Sequence, residues 1–126
     1  MTLEKLKNLI MIQTGNDVED YPDFAEQSLV YLNAGYRRVY RHWHGKMPET
    51  GLALDTDEPQ VPEALHEAIA DWATWLLYRN GNISKQNRGL AFREAAERAL
   101  SQVPQNGGMA EKERMAAARF TNLYSR

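Results

Sequence analysis

The side chains best suited to chemistry in this sequence include three histidines. His42 and His44 flank Trp43 near the end of a predicted helix. Side chains two positions apart on a helix point about 200° away from each other, so these rings are badly placed to share a metal ion. We expect them instead to stabilise the negative end of the helix. His66 has Glu63 and Glu67 nearby, and we expect a surface ion pair there rather than a catalytic base.

A run of carboxylates could in principle bind calcium. Asp55, Asp57 and Glu58 resemble the opening of a calcium-binding loop, which requires glycine at its sixth position and a bidentate glutamate at its twelfth. Counted from Asp55, those positions hold Gln60 and His66. The segment is therefore interpreted as a solvated acidic loop, and neither a metal nor another cofactor is predicted.

Motifs for covalent or phosphate chemistry are absent from the sequence. It contains no GxSxG, GxGxxG, HExxH or P-loop pattern, no cysteine, and no serine with a base that the sequence defines. No constellation supports a reaction, so we predict no catalytic residues and a protein that is not an enzyme. Binding or assembly is the favoured class of function.

The length and charge of the chain narrow the possible classes of function further. The 126 residues, 43% hydrophobic and 25% charged, indicate one globular domain with or without a tail. The net charge of −2 argues against a protein built mainly to bind DNA phosphates. Residues 104–126 carry a net charge of +2, which leaves −4 on residues 1–103. The sequence shows neither a signal-peptide pattern nor an apolar run long enough to span a membrane.

Apolar spacing predicts four helices, which must position any functional surface. They cover about 2–13, about 22–43, the stretch from Pro62 to the Asn80-Gly81-Asn82 stop, and about 85–102. Thr2 and Ser84 are the predicted N-caps of the first and fourth helices, and Pro22 the first residue of the second. The predicted core consists of nine large side chains: Leu6, Ile10, Leu29, Leu32, Tyr36, Leu65, Ile69, Trp72 and Leu76. The fourth helix has a predicted packing face of Ala91, Ala95 and Ala99, supported by Phe92 and Leu100.

The predicted fold is therefore all-α: a small bundle of three to four helices with two additional segments. One is a long loop, residues 44–61, between the second and third helices; the other is a C-terminal extension. We predict a helical domain at 1–103 and a tail at 104–126, with a hinge at 104–108 followed by a short helical or extended arm. Neither the loop nor the tail has an obvious role within the chain, and long loops of this kind are usually functional or mobile.

These two segments supply the predicted interface residues. In the loop they are Leu52, Leu54, Asp55, Asp57 and Glu58, which we expect to face a neighbouring subunit or a channel. In the tail they are Arg114, Arg119, Phe120 and Tyr124, with the arginines meeting an acidic surface and the aromatic rings filling apolar pockets. The alternative for the tail is a fifth helix that folds back on its own domain.

Three stretches of the sequence resemble the head-to-tail adaptor proteins of tailed bacteriophages, also called connector or head-completion proteins. Residues 24–40, FAEQSLVYLNAGYRRVY, resemble that family's helix with a Leu-Asn-x-x-Tyr core. Residues 55–82, DTDEPQVPEALHEAIADWATWLLYRNGN, match its acidic loop, proline start and helix ending in an aromatic residue and a polar turn. Residues 92–100, FREAAERAL, match the helix that follows.

The resemblance implies a structural virion protein with no catalytic residues. It implies a ring, commonly of twelve subunits, that lies beneath the portal in the neck of the virion after assembly in the host cytoplasm. The implied partners are the portal protein, neighbouring copies and a tail or stopper/nozzle protein. Viral DNA passes through the lumen without sequence-specific binding, and no membrane is involved. The alternatives are another neck or tail-assembly helical protein, or a helical DNA-binding regulator that uses Arg37, Arg38 and Arg41.

Overall fold

A computed structural model describes residues 1–15 and 24–104 of the chain. In those ranges the chain forms four α-helices and one 3-10 turn: α1 (Leu3–Thr14), α2 (Phe24–His44), the turn Glu63–Leu65, α3 (His66–Arg79) and α4 (Ile83–Gln102). No strand occurs in this part of the chain. The prediction of an all-α bundle with a long loop between the second and third helices is confirmed. The predicted helix start at Pro22 lies outside the described residues.

The helix α3 is the centre of the bundle, because it packs against α1, α2 and α4. Gly35 of α2 lies so close to α3 that a Cβ atom there would stand 2.5 Å from the carbonyl oxygen of Ile69. Tyr31, one turn earlier in α2, accepts a hydrogen bond from Asn80 just after α3. These two contacts show that α2 runs antiparallel to α3.

The core follows the predicted apolar positions closely. Seven of the nine predicted core side chains are buried: Leu6, Ile10, Leu32, Tyr36, Leu65, Ile69 and Leu76. The other two, Leu29 and Trp72, are only partly buried and pack against the rim of the core. The predicted N-cap of α1 is confirmed, since the backbone N–H of Lys5 donates to Thr2 Oγ1 at 3.3 Å.

The predicted packing face of α4 is correct only near the end of the helix. Leu100 is buried as predicted and Ala99 packs against the core, but Ala91 is exposed and Ala95 only half-buried, whereas Gly89 and Ala96 are buried. The cause is a close approach at Gly89, where a Cβ atom would lie 2.8 Å from Cβ of Tyr78 in α3. Positions seven and eleven residues later fall on the same side of the helix and are buried with it.

The predicted cap of α4 is also wrong. Asn82, two residues before Ser84, is the N-cap, and its Oδ1 accepts the backbone N–H of Lys85 at 2.9 Å. Asparagine is among the strongest N-cap residues, so the polar turn after α3 both ends one helix and starts the next.

Candidate interaction surface

The loop between α2 and α3, residues 45–62, is held by an amide side chain of α2. Asn33 Nδ2 donates to the carbonyl oxygen of Leu52 at 3.0 Å, and Asn33 Oδ1 accepts the N–H of Leu52 at 2.7 Å. This pair of bonds places the Leu52 side chain in the core, with 4% of its surface exposed. The expectation that the loop has no role within the chain is therefore wrong, and Leu52 is not available to a partner.

The tip of this loop is ordered by a carboxylate. Asp57 Oδ2 accepts the N–H groups of Leu54 and Ala53, each at 2.8 Å. These bonds favour the ionised form of Asp57 and hold its pKa below the ordinary value. The bond from Leu54 contributes most to this shift and the bond from Ala53 comes second. The turn leaves the side chain of Leu54 66% exposed on a fixed backbone. Asp57 thus serves the local turn, and Leu54 is the apolar group presented to solvent.

The loop also contacts the start of α1. The N–H groups of Leu3 and Glu4 donate to the carbonyl oxygens of Asp57 and Asp55 at 2.8 and 3.2 Å. The first N–H groups of a helix have no partner within the helix, so the loop satisfies two of them. Lys7 Nζ lies 3.2 Å from Asp55 Oδ1, in an exposed ion pair. Leu54, Asp55 and Glu58 are exposed, and Glu58 Oε1 lies 3.9 Å from the amino group of Met1; we refer to these three loop residues as the acidic tip.

The two histidines of α2 bind different backbone carbonyls. Nε2 of His44 donates to the carbonyl oxygen of Gln60 at 2.7 Å, and Nε2 of His42 donates to that of Val103 at 2.8 Å. The rings therefore diverge, as their positions on the helix predict. Within residues 1–15 and 24–104, no three histidine or carboxylate side chains are grouped so that they could hold a metal ion.

His66 is close to Glu63, as predicted, but it is not on the surface. Its ring is buried, with Nδ1 3.3 Å from Glu63 Oε2. Nε2 donates to the carbonyl oxygen of Val61 at 2.9 Å, which assigns the proton to that nitrogen in the neutral ring. Nδ1 then accepts from the amino group of Met1 at 2.7 Å. The prediction of a surface position was wrong because this ring joins the turn before α3 to the start of α1.

Two tryptophans of α3 are partly exposed, although one of them, Trp72, belongs to the predicted core. Trp72 and Trp75 are three residues apart and share one side of the helix. Arg38 of α2 covers the ring of Trp72, and Arg93 of α4 covers that of Trp75, each with its guanidinium carbon 5.4 Å from the ring centroid. We refer to these four residues as the tryptophan–arginine cleft. Tryptophan is rarely buried completely, which is the sequence signal for a rim position.

A half-buried carboxylate between α1 and α3 was not found from the sequence. Gln13 Nε2 donates to Asp71 Oδ1 at 2.6 Å, while Gln13 Oε1 accepts the hydroxyl of Thr74 at 2.6 Å. Burial raises the pKa of Asp71 from 3.8 to about 6, with Glu67 adding a smaller repulsion. The network joins α1 to α3, and one of its members changes charge in mildly acidic solution.

We expect Asp71→Asn to change how stability depends on pH. Because the pKa of Asp71 is higher in the folded chain, folding takes up a proton between pH 3.8 and about 6, and this contribution to the free energy of unfolding falls as pH rises through that range. Asparagine keeps the oxygen that accepts from Gln13 and cannot ionise. The variant should therefore gain stability relative to wild type as pH rises, measured by chemical denaturation across the range. Glu94→Gln, at an exposed carboxylate, is the control; a constant difference between Asp71→Asn and wild type would contradict the prediction.

The tail residues Arg114, Arg119, Phe120 and Tyr124 lie outside the described residues, so their predicted contacts stay predictions. No helix within the described ranges is both long enough and apolar enough to cross a membrane. Comparison of the chain with protein-family models, curated proteins and solved structures gives no match.

Proposed function

We propose that this chain is a structural assembly protein, a head-to-tail adaptor that forms a ring under the portal of a tailed bacteriophage. The observation that supports this most is the acidic tip. Its backbone is fixed by Asp57 and by the start of α1, yet Leu54 stays 66% exposed. An exposed apolar side chain on a fixed backbone, in the same loop as the carboxylates of Asp55 and Glu58, is suited to bind a partner, because little backbone entropy is lost when it docks.

The net charge of the helical domain also suits a channel through which DNA moves. Residues 1–103 carry a net charge of −4, and acidic groups on the wall of a lumen repel phosphates at close range where salt screens little. A lumen lined in this way lets DNA slide without binding it. The proposed partners are the portal protein, neighbouring copies and a tail or stopper/nozzle protein in the neck of the virion.

Coexpression with candidate portal proteins tests the proposal directly. We expect the full chain to copurify with one of them and to show rings by negative-stain electron microscopy. Leu54→Ser should reduce copurification while leaving the helical circular dichroism signal unchanged. The matched control is Ile83→Ser, at an even more exposed apolar side chain that starts α4. Failure to copurify with any portal and to form rings would refute the adaptor function.

A second candidate function is a helical DNA-binding regulator. Arg37 and Arg41 are exposed on the outer side of α2, and no carboxylate among the described residues pairs with them. Two such cations could contact phosphates, although they form a small patch. A gel shift that weakens steeply with salt and is lost in Arg37→Ala would favour this function over assembly. Another neck or tail-assembly role would be indicated by copurification with a tail protein and not with a portal.

A further inference from the structure

The acidic tip and the tryptophan–arginine cleft lie on opposite flanks of α2. Asn33, which holds the loop, and Arg38, which covers Trp72, are five residues apart on this helix. Five residues correspond to a rotation of about 140°, so the two side chains leave the helix in nearly opposite directions. Two complementary surfaces that face away from each other can meet only between different copies of the chain.

The cleft has unused capacity to bind carboxylates. A guanidinium stacked on an aromatic ring uses its face, and its in-plane N–H groups stay free to donate. Among the described residues, no carboxylate pairs with Arg38. Arg93 has one partner, Glu97, through Nε at 3.1 Å in an exposed pair, so its terminal nitrogens are open. Trp72 and Trp75 are both partly exposed and supply the apolar surface beside these cations.

We infer that this cleft receives the acidic tip of a second copy of the chain. The inference rests on the proposed adaptor function and identifies the surface through which neighbouring copies bind. Leu54 packs on the rings of Trp72 and Trp75, while Asp55 and Glu58 accept hydrogen bonds from Arg38 and Arg93. Opposite charges meet around an apolar contact, an arrangement that gives an interface both affinity and register.

The symmetry of this contact follows from the positions of its two halves. The tip of one copy occupies the cleft of the next, so every copy uses one surface of each kind and the interface is heterologous. Such contacts produce chains of copies, which close into a ring when the rotation between neighbours allows. A two-fold dimer, in which both halves are used at once, is not the expected product.

Sedimentation velocity of the full chain over a concentration series tests this contact. At low salt, about 0.01 M, we expect association beyond a dimer, and we expect about 1 M salt to weaken it. Arg38→Glu should raise the dissociation constant about tenfold or more, because it places a carboxylate against the acidic tip. Arg37→Glu is the matched control, since it changes the net charge equally on the neighbouring outer side of α2. Circular dichroism establishes that both variants are folded.

A second test exchanges the charges of two residues that the contact is expected to pair. Combining Arg38→Glu with Glu58→Arg should recover much of the lost association, whereas Arg37→Glu with Glu58→Arg should not. A wild-type chain that stays monomeric throughout the series overturns the inference, and so does equal weakening by Arg37→Glu and Arg38→Glu. An Arg38-dependent gel shift with DNA, without self-association, would instead assign the cleft to nucleic acid.

Cysteine cross-linking tests the same contact without changing the charges of the cleft's arginines. The chain has no cysteine, so introduced thiols can be oxidised without competition. A chain with both Thr56→Cys, at an exposed loop position that leaves Leu54 in place, and Glu97→Cys should give a ladder of disulfide-linked multimers on a non-reducing gel, while each single variant should stop at a dimer or below. The absence of a ladder would refute the contact. Copurification with a portal would still support the adaptor function in that case, so the two proposals fail separately.

Discussion

Leu32→Ala is expected to lower the free energy of unfolding by about 2–5 kcal/mol. The Leu32 side chain is fully buried in the core where α2 faces α3, one turn before Tyr36 and three residues before the close contact at Gly35. Removing its methyl groups leaves a cavity, and the short distance between the two helices at Gly35 limits how far they can move to fill it. Chemical denaturation measures the loss of stability, and the m-value should be the same as in the wild type.

Val30→Ala is the matched control for this substitution. Val30 is on the same helix two residues away, and 62% of its side chain is exposed. The change should alter stability by about 0.5 kcal/mol or less, because little surface is taken from the core. If Leu32→Ala and Val30→Ala had equal midpoints, the assignment of the core would be wrong.

The helices could be predicted from the sequence because their signals are local. In α2, Leu32, Tyr36 and Val39 repeat at helical spacing, and all three are buried. The phase of α4 could not be predicted in the same way. Its many alanines fit several faces equally well, and the face that packs is selected by the contact of Gly89 with Tyr78 of α3. The contact between α3 and α4 cannot be inferred from the apolar spacing of either helix alone.

The candidate interaction surface was predicted only in part, because one of its predicted residues is buried by a contact that is distant in the sequence. The sequence identified Leu54, Asp55 and Glu58 as residues of an acidic loop, and the structure leaves all three exposed. It did not separate them from Leu52, because burial of Leu52 depends on an amide 19 residues earlier in the chain. Whether the three exposed residues bind a partner stays a prediction.

The second large effect on stability is expected for Asn33, whose side-chain amide holds the loop. Asn33→Ala should lower the free energy of unfolding by about 2–4 kcal/mol, because it removes the partners of both backbone polar groups of Leu52. Those groups are partly buried and cannot be fully hydrated without withdrawing Leu52 from the core. Gly51 would also lose its fixed position, since it lies directly against the Asn33 side chain. The loop should then exchange its amide hydrogens faster than the helices do.

The variant Asn33→Asp tests the donor and the acceptor of this pair of bonds separately. Aspartate keeps an oxygen for the N–H of Leu52 but places a second oxygen against the carbonyl of Leu52, so at neutral pH the variant should be destabilised as well. Protonation of the carboxylate in acid restores a donor, and we expect part of the lost stability to return there. The control is Asn87→Ala on the exposed side of α4, where the same gain in helix propensity occurs without loss of a loop contact. If Asn33→Ala were no less stable than Asn87→Ala, the loop would be held by its other contacts, and its tip would not depend on Asn33 for its position.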